Sequence, residues 1–285
     1  MRRALRSPHR KSMNLIERTA IAVRHAPALE RADWLWKLVR PAYDRTLAKF
    51  AERHGLQRMI NGSDSFYLSP ISRGFIAEEY EPEVWHRIMR EVRPGDRIVD
   101  AGANFGLYTL AFAGRTGTAG HVTAFEPDPD SASALEANIR VNGWQSRITV
   151  VRAAVGDVNG ETRFAGARGV ESRIEAGRTP NPDAITVPIV TLDSAIGKEQ
   201  IDVLKIDVEG FEEQVLRGGR TTLASASRGP RAILIEVHPF AWSDLGTASA
   251  GMLALLAACG FRVENMTGDE VREIGDYGHV IALRR

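Results

Sequence analysis

Seven polar residues stand where apolar, mostly β-branched runs end: Asp100, Glu126, Asp157, Asp207, Glu209, Glu236 and His238. In a parallel sheet the carboxyl ends of the strands share one edge, so these groups converge despite their separation in sequence. The first of them opens the turn Asp100-Ala101-Gly102-Ala103-Asn104-Phe105-Gly106. Gly102 and Gly106 let the backbone turn sharply and approach a ligand. A dinucleotide fingerprint counted from Gly102 needs glycines where Asn104 and Leu107 stand. A side chain at Asn104 disfavours a pyrophosphate, so the loop suits a nucleoside-type ligand without phosphates better than NAD. Asp100 fits such a ligand, since a carboxylate there holds an ammonium or hydroxyl group. Glu126 lies 24 residues beyond Gly102, near the roughly 20-residue offset at which an acid binds ribose hydroxyls. Asp157 is placed to accept from an adenine amino group, although Asp157-Val158-Asn159-Gly160 is also a good turn.

The elements that must position these groups alternate strand and helix, which argues a parallel sheet covered on both faces. Strands are predicted at Arg97–Asp100, Val122–Phe125, Ile148–Ala153, Val203–Ile206, Ala232–Val237, Arg262–Asn265 and Val280–Leu283. Helices are predicted from about Leu107, Pro129, Glu212 and Ala248. Asp128 and Pro129 start the second of these and Asn142-Gly143 stops it. Glu161–Phe164 and Ile185–Val190 read as a strand pair flanking Gly166–Ala184, a connection rich in Gly, Arg and Pro.

Residues 1–80 form an N-terminal extension and 81–285 the main domain. The extension starts basic and poor in apolar residues, then turns helical from Met13 to about His54. It is assigned as a cap on the domain, with a homodimer contact or a lid as alternatives. Leu56–Leu68 holds a hairpin around Asn61-Gly62-Ser63-Asp64. A net charge of +1 gives no global field for nucleic acid or an anionic membrane. No run of about 18 apolar residues marks a membrane span. The basic N-terminus lacks the apolar segment of a secretory signal, and the single Cys259 fits a reducing compartment, so a cytoplasmic protein is expected.

The segments Asp100–Gly106, Phe125-Glu126-Pro127, Thr191-Leu192-Asp193, Lys205-Ile206-Asp207-Val208-Glu209-Gly210-Phe211-Glu212 and Ile235-Glu236-Val237-His238 occur in the order seen in FkbM-type S-adenosylmethionine-dependent methyltransferases. The chain resembles that family from about Glu81 to Arg285. The resemblance implies a class I methyltransferase (Rossmann-like) α/β fold, with a seven-stranded, mostly parallel sheet and a reversed last strand. It implies O-methylation of a hydroxyl on a sugar, glycan, glycolipid or secondary metabolite. By the same resemblance Glu81, Asp100, Gly102, Asn104, Gly106, Glu126, Asp157 and Asp207 bind S-adenosyl-L-methionine. An NAD-dependent oxidoreductase and a non-catalytic binding module on the same fold are the alternatives.

Methyl transfer to an alcohol requires removal of its proton as the bond forms. His238 is the first candidate base, as the only histidine at the end of a central strand, with Asp207 the second. A histidine that merely bonds Glu236 or the loop is the alternative. Lys205 either orients Asp207 or faces outward. Asp207, Glu209 and Glu212 are oxygen ligands of the type Mg²⁺ uses. The metal-free reading is favoured, with Glu209 and Glu212 fixing the loop and capping the next helix. The arginines Arg163, Arg168, Arg173 and Arg178 suit an acceptor with a phosphate or carboxylate, and equally a solvated loop.

Overall fold

The structure is a computed structural model and describes residues 53–70, 72, 78–165, 173–174 and 184–285. The predicted N-terminal helices lie outside these, apart from residues 53 and 54, and so does most of Gly166–Ala184.

The described chain begins with a hairpin, β1 (Leu56–Ile60) and β2 (Asp64–Leu68). Asn61 and Gly62 both take positive φ in its turn, as a tight hairpin requires. Helix α1 (Pro82–Met89) follows, then β3 (Arg97–Ala101), α2 (Leu107–Thr116), β4 (His121–Phe125), α3 (Pro129–Asn142) and β5 (Ile148–Val151). Asp128 caps α3 by accepting from the amides of Asp130 and Ser131, and Gly143 ends it in the left-handed conformation.

Next come β6 (Ala154–Gly156), β7 (Gly160–Ala165), β8 (Arg173–Ile174) and β9 (Ile185–Thr191). They form a separate sheet in the order β6-β9-β7-β8. The main sheet resumes after α4 (Leu192–Ile196) with β10 (Val203–Ile206), α5 (Glu212–Gly218), α6 (Arg220–Ala224) and β11 (Ala232–Val237). Helices α7 (Trp242–Leu245) and α8 (Ser249–Ala258) lead to β12 (Phe261–Glu264) and β13 (Gly278–Arg284).

The main sheet has seven strands in the order β12-β13-β11-β10-β3-β4-β5. β13 runs antiparallel to both neighbours, and the pairs from β11 to β5 are parallel. This is the class I methyltransferase arrangement with its reversed last strand. Side chains alternate across each strand, so neighbours feed opposite cores. Ile98 packs with Trp85, Phe112 and Leu135 on one face. Val99 packs with Leu204, Val215 and Leu256 on the other. Strand order reverses between β3 and β10, and open α/β sheets bind ligands at such a point.

A buried acid helps fasten the hairpin to the domain, alongside Asn142, which bonds the Tyr67 backbone. Asp64 accepts from Arg115 Nε at 2.6 Å and from Trp85 Nε1 at 2.7 Å. Burial alone raises its pKa, but Arg115, Ser63 and Trp85 outweigh it and hold the carboxyl below its ordinary value. Asp64 therefore stabilises the fold above the unfolded value, and that contribution is lost as pH falls through the depressed one. Asp64→Asn is expected to lose about 1–3 kcal/mol in urea denaturation at pH 7, and a smaller amount at pH 3.

Candidate functional site

A cavity of about 800 Å³ opens at the carboxyl edge of the main sheet, over the junction of β3 and β10. The glycine loop and β4 supply one end of it. The ends of β10 and β11, Glu81 and Tyr277 supply the other. Phe164 and Ile174 of the smaller sheet wall one side.

Asn104 stands in the loop with φ of 50°, a conformation asparagine tolerates better than most residues. Its backbone N–H donates to Glu126 Oε2 at 2.7 Å, while the Asp128 N–H donates to Oε1 at 2.8 Å. Glu126 thus ties the glycine loop to the end of β4 and still lines the cavity. Burial pushes its pKa up to about 7, and the two amides only partly oppose that.

The two glycines serve the fold more directly than they serve a ligand. Gly102 has φ of 79°, and a Cβ there would lie 1.7 Å from the Asp207 carbonyl oxygen. Gly106 has φ of 91°, and its Cβ would strike Leu135 at 2.2 Å. Gly102 borders the cavity and Gly106 does not.

Two of the predicted acids also lie outside the cavity lining. Asp100 is fully buried and does not line the cavity. Its place on β3 turns it inward, where Oδ2 accepts from Thr109 Oγ1 at 2.6 Å and Oδ1 lies 3.6 Å from Lys205 Nζ. The ammonium it faces is the chain's own. Asp157 is exposed and outside the cavity. The predicted strand Ile148–Ala153 stops at Val151, and Ala154–Gly156 pairs with β9 instead. The chain therefore leaves the sheet edge before Asp157 is reached.

Lys205, 4% exposed, is the hinge of the other end. Its Nζ donates to Asp207 Oδ2 at 3.0 Å and sits 5.1 Å from the centre of the Tyr108 ring. Burial opposes its charge, but Asp207 and Asp100 overcome that and raise its pKa. Asp207 is thereby aimed into the cavity, with its own pKa pushed up to about 6 by burial against the pull of Lys205.

His238 is 2% exposed, and its Nδ1 lies 2.8 Å from Glu212 Oε1. Its Nε2 is 3.3 Å from Glu209 and 3.7 Å from Glu236. Burial lowers its pKa, but Glu212 and then Glu209 reverse the direction and raise it. Glu212 was read as a helix-capping acid or a metal ligand. It is fully buried and accepts from the Gly210 N–H and Trp242 Nε1 as well.

Glu81 borders the cavity, accepts from Tyr108 OH at 3.2 Å and lies 3.5 Å from His279 Nε2. Glu236 accepts from Tyr277 OH and faces His279 at 3.4 Å. Those interactions bring Glu236 down to about 2 against its burial. Tyr108, His279 and Tyr277 escaped the sequence reading. The pairing Glu236↔His279 depends on the antiparallel register of β11 and β13, which no local pattern encodes. Tyr108 sat unmarked just after Gly106.

A residue with its Cβ in the Asp207 carbonyl cannot fit, so Gly102→Ala is expected to lower the melting temperature markedly. Glu126 gives a pH test. Its folded pKa is raised, so its ionisation destabilises the cavity as pH climbs from about 4.5 to about 7. Glu126→Gln is expected to flatten that slope, worth on the order of 3 kcal/mol, in denaturation curves taken without ligand.

The Methyltransferase FkbM domain family matches residues 100–263. The chain is 26% identical over 163 residues to the hexuronic acid methyltransferase AglP of Haloferax volcanii, covering 55% of this chain and 62% of that protein. It is 29% identical over 264 residues to the 31-O-demethyl-FK506 methyltransferase FkbM of Streptomyces tacrolimicus, covering 80% of this chain and 96% of that one. Among solved structures, a methyltransferase FkbM from Methylobacillus flagellatus KT aligns at 18% identity with a TM-score of 0.45, over 66% of this chain and 43% of that chain. The family match spans more than half of the sequence and contains the glycine loop, Glu126, Asp207 and His238, and the chain belongs to the FkbM methyltransferase family.

Proposed function

We propose that the protein uses S-adenosylmethionine to methylate a hydroxyl group of a sugar, glycan, glycolipid or secondary metabolite. The observation that carries this reading is Glu126, buried at the end of β4 and bound to the Asn104 amide, at one end of the cavity, with Asp207 and His238 at the other.

The donor seat fits a nucleoside. A carboxylate offers about four lone-pair sites, and backbone amides take two of those on Glu126. The others are free for ribose hydroxyls. Asn104 holds the position that a pyrophosphate would need, which disfavours NAD. When bound, S-adenosylmethionine supplies a sulfonium-activated methyl group. Gly102, Asn104 and Glu126 would hold it from one end of the cavity, and Glu81 would face it from the other.

The chain's part in the reaction is mainly placement. Fixing two reactants in attack geometry lowers a barrier by about 7–11 kcal/mol. The hydroxyl oxygen must be held and its proton taken up. Asp207, aimed by Lys205, and His238, aimed by Glu212, are placed for both tasks. Relatives named for a hexuronic acid and for the 31-O position of FK506 support an oxygen acceptor of this kind.

Calorimetry on the full chain is expected to show binding of S-adenosylmethionine and none of NAD. The reverse result would favour an oxidoreductase. Transfer of a labelled methyl group to a metabolite in cell extract separates an enzyme from a binding module. Asp207→Asn is expected to slow that transfer about 10²–10⁴-fold, with calorimetric affinity for S-adenosylmethionine changed far less.

A further inference from the structure

Three donor atoms meet where β10 and β11 end. A carboxylate oxygen of Asp207, one of Glu209 and a ring nitrogen of His238 lie within 4.8 Å of one another. Adjacent ligands of an octahedral cation with bonds of about 2.1 Å stand roughly 3 Å apart. A small closure of the Asp207–Gly210 turn brings all three into range.

The imidazole is prepared from outside this group. Glu212 lies behind it, is fully buried, and is fixed by Trp242 Nε1 at 3.1 Å and the Gly210 N–H at 2.8 Å. An ionised carboxylate only accepts, so Nδ1 of His238 carries a proton toward it. Nε2 is left on the cavity side of a 2% exposed ring, 3.3 Å from a Glu209 oxygen. A carboxylate behind the far nitrogen is the usual arrangement for a metal-bound histidine.

We propose that Asp207, Glu209 and His238 bind one divalent cation of the Mn²⁺ or Mg²⁺ kind, with Glu212 as the positioning residue behind His238. Three ligands from one side leave positions open toward the cavity. An acceptor hydroxyl entering there is held and oriented by the ion. That role rests on the methyl-transfer reading, whereas the ion site itself does not.

Untagged full-length protein is titrated with Mn²⁺, and free ion is followed by electron paramagnetic resonance. One ion per chain is expected. His238→Ala and Glu209→Gln are each expected to weaken binding at least about tenfold, and Glu212→Gln about 10–100-fold. Glu209 has 20% side-chain exposure on a turn, so its variant keeps the test valid if the buried ones fail to fold. No stoichiometric Mn²⁺ in the wild type, or unchanged binding in Glu209→Gln, overturns the proposal. The titration needs neither donor nor acceptor. Calorimetry with S-adenosylmethionine on the same samples therefore reports separately on the proposed function.

Discussion

A buried ammonium at the point where strand order reverses is the constraint on which the site depends. Lys205 cannot remain charged in that position without partners. Asp100 from β3 and Asp207 from the end of β10 supply them, and the Tyr108 ring covers the group. The same pairing locks two loops together. The Asp207 N–H donates to the Ala101 carbonyl, and Gly102 leaves room for the Asp207 backbone. The glycine loop and the acidic end of the cavity are therefore set by one electrostatic knot. Asp100 acts through that knot, buried behind the cavity against Lys205 and Thr109.

A second buried carboxylate does for His238 what Asp100 does for Lys205. Glu212 opens α5, yet its side chain turns back to the Gly210 amide, the His238 ring and the Trp242 indole. It joins the turn after β10 to the end of β11 and to α7. Both devices use an acid with no exposure to aim a group that does border the cavity. Rotamer freedom at the reacting end is thereby removed before any ligand arrives.

Much of this was legible in the sequence, and the failures have physical reasons. Strand ends carry polar residues because the sheet edge is where chemistry can occur, so Glu126, Asp207 and His238 were recognisable by position. Direction was not recognisable. Asp100 and Glu126 both end strands, but strand pleat turns the first toward Thr109 and leaves the second at the cavity. Asp157 falls outside the cavity lining because Val151 ends the strand and the next residues change sheets, a tertiary choice with no local signal. Glu209 and Glu212 look equivalent three residues apart. Only the packing of Trp242 and Gly210 makes one a buried support and the other a cavity acid.

The acidity of the reacting end limits how its parts can be understood singly. Each carboxylate there is tolerated because a specific donor faces it. Tyr277 and His279 face Glu236, Lys205 faces Asp207, and His238 with Trp242 faces Glu212. Removing one donor leaves a buried charge uncompensated and shifts the load to the neighbours. Groups that share partners in this way do not contribute additively. The donor end is different, because Glu126 is satisfied by backbone amides of its own loop and turn and shares none of the hydrogen bonds of the far network. A cavity built from one autonomous end and one interdependent end can keep the first constant, while the second changes only as a set.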